Sequence, residues 1–72
     1  MAENEELDAI FDDANGHLAL GELDEAVALY RRCVEIDPDC FDAWHALGMG
    51  LMKTGNLRAA IGCGLKAVTL RP

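Results

Sequence analysis

The most reactive side chains in the sequence are three cysteines, Cys33, Cys40 and Cys63, and two histidines, His17 and His45. Brought together they would hold a metal ion, or the thiols would form a redox pair. Zinc needs about four converging donors, commonly at C-x2-C and H-x3-H spacing, and neither spacing occurs here. Cys33 lies on an apolar row and is expected as a small core residue. Cys40 and Cys63 are expected to be partly exposed, with no neighbour in sequence that would activate a thiol. No metal and no cofactor is therefore expected. The 13 carboxylates are a second possible chemistry. They are spread along the outside of the chain and not paired as a general acid and base would be. Serine is absent, and threonine occurs only at Thr54 and Thr69. Gly48-x-Gly50 and Gly62-x-Gly64 fall inside predicted helices, whereas a phosphate-cradling loop precedes one. No catalytic residue is assigned, and the chain is not expected to be an enzyme.

What remains is recognition by a folded surface, and bulk properties narrow its partner. The 72 residues carry 13 acids against 6 bases, a net charge of −7, which opposes the phosphate neutralisation that nucleic-acid binding requires. Apolar residues reach 51%, enough for one core, but their uninterrupted runs are far too short to cross a membrane. The opening residues Met1 to Glu6 are acidic, unlike the basic start of a secretory leader, so a soluble, cytoplasmic protein is expected.

The elements that would build that surface are four short helices. Residues 1 to 6 read as a polar lead-in that grades into helix. Leu7, Ile10, Phe11, Ala14 and Leu18 recur every three or four residues and predict a helix from about Leu7 to Leu20, with Gly21 to end it. Ala26, Val27, Tyr30, Cys33 and Val34 predict a second, from about Asp24 to Ile36, stopped by Pro38. Asp39 is placed to cap a third, from about Phe41 to Thr54, with Asp42 three residues on as in a capping box. Trp44, Leu47, Gly48 and Leu51 form its apolar row, and Gly55-Asn56 ends it. The fourth, from about Arg58 to Leu70, offers Ala60, Ile61, Ala67 and Val68. It is intrinsically weak, because Gly62 and Gly64 each cost about 0.5–1 kcal/mol relative to alanine.

Displacing the chain by 34 residues aligns Gly16 with Gly50, Gly21 with Gly55, Leu23 with Leu57, Ala26 with Ala60, Val34 with Val68 and Pro38 with Pro72. A helix pair repeating at that period is the signature of a solenoid. With Trp44-x2-Leu47-Gly48-x2-Leu51, then Ala60, Ala67 and Pro72, the chain resembles the tetratricopeptide repeat family. The first copy carries Ala26, Cys33 and Pro38 at the later places, with Ile10 at the tryptophan place and Asp13-Ala14 at the Leu-Gly place. The resemblance implies an all-α fold, an α-solenoid of two helix-turn-helix repeats over residues 7–40 and 41–72. Tyr30 fills the aromatic place of the second helix. Gly64 stands there in the second copy, so volume between its helices is expected to be empty or filled from elsewhere. A pentatricopeptide relative shares the period but binds RNA, against the acidic balance.

The resemblance further implies that ligand contacts come from the first helix of each repeat, on a concave face. Carried over by place, these are Asp8, Phe11, Asn15, Leu18 and Ala19, then Asp42, His45, Met49, Met52 and Lys53. Phe11 and the two methionines would form an adaptable apolar strip for a peptide or helix of another protein. The plain alternative is that Phe11 and Leu18 are core and the methionines filler. One subtype clamps a C-terminal carboxylate with lysine, arginine and asparagine. Only Asn15 fits that pattern, and Phe11, Asp42, His45 and Ala46 occupy its other places. Asp8, Asp12 and Asp42 would favour a basic or mixed-charge partner, unless they are only a solvated helix end.

About three stacked repeats usually make a stable solenoid, and two leave a face uncovered. Leu51, Met52, Leu65 and Val68 are expected on that face. Residues 1 to 40 hold twelve acids and two bases, and residues 41 to 72 one acid and four bases, so the halves carry −10 and +3. Self-association through Leu51, Leu65 and Val68, in a homo-oligomer, is the second expectation. The other route to covering the face is a longer repeat array.

Overall fold

In a computed structural model, which describes residues 5 to 71, the chain forms four helices. These are α1 (Glu5–Ala19), α2 (Leu23–Ile36), α3 (Phe41–Lys53) and α4 (Leu57–Leu70), with no strand among the described residues. Each boundary lies within two residues of its expected place. Glu5 and Glu6, where the lead-in is expected to grade into helix, belong to α1, and their charge favours the positive helix end. Residues 1 to 4 and Pro72 lie outside the described residues.

Consecutive helices pack in turn, α1 on α2, α2 on α3 and α3 on α4. The result is a slab of 35 × 30 × 15 Å. Two equivalent turns close the two hairpins. Gly21 and Gly55 adopt left-handed φ values of 80° and 87°, which side chains with a Cβ rarely tolerate. Around each, a pair of bonds satisfies the last carbonyls of the helix. Glu22 N–H reaches His17 O at 2.9 Å and Gly21 N–H reaches Leu18 O at 3.0 Å. Thirty-four residues on, Asn56 N–H reaches Leu51 O at 2.9 Å and Gly55 N–H reaches Met52 O at 3.1 Å. These are Schellman turns, and their identity shows that the 34-residue period is structural.

The joint between the hairpins differs from expectation at one point. Pro38 holds Asp37 extended, at φ −137° and ψ 92°, as a residue before proline should be. The N-cap of α3 is Cys40, not Asp39, and no side chain caps it. The aspartate that acts here is Asp37, whose Oδ1 accepts the Asp39 N–H at 3.1 Å in a local turn. Trp44 ties the joint by donating its indole N–H to Pro38 O at 2.6 Å. It is half-buried, so its role is to fix the corner as well as to fill it.

Tyr30, Leu47, Leu51 and Cys33 are the largest fully buried side chains, and they run through the middle of the slab. Two glycines of α3 let its neighbours close in. A Cβ at Gly48 would stand 3.4 Å from Cys63 Cβ and 3.5 Å from Ala60 O on α4. A Cβ at Gly50 would stand 3.0 Å from Val27 Cγ2 on α2, tighter than ordinary packing. Thus α3 is gripped on two sides, and its burial pattern is correspondingly broad.

Candidate functional site

The residues expected to line a concave face fall on matching rows of α1 and α3. Asp8, Phe11, Asn15 and Leu18 are displaced by 34 from Asp42, His45, Met49 and Met52, each set at spacings of three or four that keep it on one side of its helix. The α1 row is the more firmly held. Phe11 is half-buried and meets Tyr30 edge-on, with ring centroids 5.6 Å apart. The Tyr30 hydroxyl donates to Asn15 Oδ1. Tyr30 itself reaches across to α3, 3.9 Å from the Cβ position of Gly50. One buried ring therefore forms the floor between the two helices and orients Asn15 at the surface. No local sequence signal marks the Tyr30–Asn15 bond, although a buried tyrosine hydroxyl usually finds a hydrogen-bond partner. Leu18 is half-buried, and Asp8 and Ala19 are exposed.

The α3 row is more open. Met49 and Met52 are 41% and 62% exposed, and Asp42, His45 and Lys53 are exposed as well. His45 stacks on Phe41 at 5.7 Å and 10°, and Arg71 lies over the same Phe41 ring at 4.4 Å. That places a guanidinium close to the start of α3, with cation–π attraction holding it. No second tyrosine supports this row. At Gly64 a Cβ would meet nothing within 4 Å, so the missing aromatic leaves open surface and not an enclosed void.

Three expectations need correction. Leu51, expected on the uncovered face, is only 1% exposed. It belongs to the side of α3 that packs inward, whereas Leu65 and Val68 are 62% and 57% exposed. Ile61, expected on the buried row of α4, is also exposed, because the inward row is Ala60, Cys63 and Ala67. Cys63 is accordingly buried, not partly exposed.

Two of the three thiols, Cys33 and Cys63, are buried. Burial pushes Cys33 and Cys63 above the ordinary thiol range, partly offset by Arg32 for the first and Arg31 for the second. Nearby Cys40 raises Cys33 further. Burial likewise raises the Tyr30 phenol. Among the described residues no three His, Cys, Asp or Glu side chains converge as a metal site would require. His17 instead pairs with Glu22 at 2.6 Å, bracing the turn after α1.

Two stacked helical hairpins, closed by equivalent turns and presenting matching side-chain rows, define a helical-repeat protein. The sequence profile described as tetratricopeptide repeat matches residues 14–50, from the middle of α1 to the later part of α3, and the chain belongs to that family. Among curated proteins none matches the chain. Repeats of this family generally mediate contacts between proteins and are typically non-catalytic. No helix among the described residues is long and apolar enough to cross a membrane.

Proposed function

We propose that this chain is a non-catalytic interaction module that holds a peptide or helix of another protein against the α1 and α3 rows. The observation that carries the reading is the pair of equivalent rows, one with Asn15 held by Tyr30 and the other with Met49 and Met52 exposed. Flexible thioethers adapt to differently shaped apolar anchors, and the fixed amide supplies a directional polar contact. Asp8 and Asp42 add negative charge at the corresponding end of each row, which matches a basic or mixed-charge partner. Residues 7–40 and 41–72 are its two repeats.

Amide and methyl NMR spectra recorded against a library of basic amphipathic peptides test this. The expected shifts are at Phe11, Asn15, His45, Met49 and Met52, and His45→Ala with Met49→Ala should weaken binding about tenfold, a loss of about 1.4 kcal/mol. Asn15→Ala is a poorer probe because it also strands the Tyr30 hydroxyl. Shifts confined to α4, or binding indifferent to the His45 and Met49 replacements, would sink the reading.

A further inference from the structure

The 34-residue period exposes two surfaces that the molecule already knows how to join. On α3, Ala43 is fully buried and Gly50 sits against Val27, so this is the side that packs on α2. Thirty-four residues earlier on α1, Ala9 and Gly16 are exposed, and nothing lies within 4 Å of where a Gly16 Cβ would be. The receiving side repeats in the same way. Val27 of α2, which meets α3 at Gly50, and Val34, two turns further along the same side, are each 9% exposed, whereas their counterparts on α4, Ile61 and Val68, are 64% and 57% exposed. One molecule thus carries an unused copy of each half of its own α2–α3 contact.

We propose that a second copy of this chain joins them, with α1 of one copy lying on α4 of the next as α3 lies on α2. Charge favours this occupant. α1 carries five acids, Glu5, Glu6, Asp8, Asp12 and Asp13, with no lysine or arginine; α4 carries Arg58 and Lys66 with no acid. Apolar ends also meet. Gly50, near the end of α3, faces Val27 near the start of α2, so the same relation sets the end of α1 against the start of α4. Leu20 and Leu57, both exposed, stand at those two ends. The new contact is weaker than the internal one, because Asp12 and Asp13 replace Ala46 and Leu47. It is correspondingly sensitive to salt. A head-to-tail contact leaves a free end on each copy, so growth continues beyond a dimer unless the rotation closes a ring. This surface is separate from the α1 and α3 rows proposed to bind peptides, and either assignment can fail without the other.

Sedimentation of the whole chain with two variants tests the proposal. Gly16→Glu blocks the docking side of α1, and Ile61→Glu blocks the receiving side of α4. Both positions face open space, so circular dichroism should show unchanged helix. The wild type should form species larger than 7.8 kDa that grow with concentration, and its association should weaken about tenfold or more from 50 to 500 mM salt, as screening shortens. Each variant alone should be monomeric. Mixed in equal amounts they should form a dimer and stop there, because the only competent ends are one on each partner and the two blocked ends repel. Ala9→Glu with Val68→Glu should repeat the result, and replaces the first pair if either loses helix. A wild type that stays monomeric to about 1 mM, a free energy of association weaker than about −4 kcal/mol, overturns the proposal. So does a Gly16→Glu variant that still dimerises, which would mean α4 pairing with α4, and so does a variant mixture that stays monomeric.

Discussion

The second helices of the two hairpins repeat the same apolar places, yet they are not equally buried. Val27 and Val34 are core, while Ile61 and Val68, their counterparts, stand in solvent. Tyr30 fills the first hairpin and braces Asn15, while Gly64 in the second fills nothing. The apolar pattern is therefore a statement about which face expects a neighbour, and only the next element in space decides whether that face becomes core. Stability follows the same division, since transfer of apolar area from water counts only where a neighbour covers it.

The sharpest test of the contrast is Tyr30→Ala. Loss of a buried aromatic costs about 3–5 kcal/mol, comparable to what a core of this size supplies. Urea unfolding followed by circular dichroism should show the chain largely unfolded before denaturant is added. A cooperative transition retained with little loss would break the claim that Tyr30 fills the first hairpin in a way Gly64 does not fill the second. Next in size is the paired replacement of Val27 and Ile61 by alanine. The first should cost about 1–2 kcal/mol and the second less than about 0.5 kcal/mol, at concentrations too low for association. Equal losses would mean that α4 is covered as α2 is. Smaller still is the gain from Gly62→Ala and Gly64→Ala, about 0.5–1 kcal/mol each, because both are helical and meet no atom that a methyl would strike. Thermal unfolding reads that gain, and a lowered transition temperature would show that these positions are packed.

The last test uses pH. Tyr30, Cys33 and Cys63 are each held neutral by burial, so their folded pKa values exceed the unfolded ones. Unfolded protein then binds fewer protons in alkali. The stability these groups contribute is complete below the unfolded values, near 9 for the thiols and 10 for the phenol, and is lost as pH rises through the folded values. Urea midpoints should accordingly fall from about pH 8.5 upward, and a Cys33→Ala, Cys63→Ala variant should fall less steeply.

Much of the fold was legible because it depends on local rules. Helix periodicity, the two left-handed glycines and the extended residue before Pro38 each act within a few positions of sequence, and each is found where the sequence puts it. The cap expected at Asp39 is not formed there: two aspartates flank Pro38, and nothing in their order says which carboxylate reaches a backbone amide. Leu51 departs from its expected face for another reason. α3 touches both α2 and α4, so its apolar residues cover most of its circumference, and periodicity alone does not say which neighbour each one meets. Cys63 and Ile61 exchanged places for the same cause, since a single turn of α4 contains both small and large apolar residues. The candidate rows were located by the repeat, but the bond from Tyr30 to Asn15 joins residues on different helices and has no local signature.

That bond makes the molecule its own instrument. The chain has one tyrosine and one tryptophan. The first lies under the surface proposed to hold a peptide, hydrogen-bonded to a residue of that surface, and the second is tied to the Pro38 carbonyl at the corner between hairpins. Occupation of the rows should perturb tyrosine absorbance, while movement of one hairpin against the other should perturb tryptophan emission. Two native chromophores thus report separately on ligand and on hinge, with no label attached.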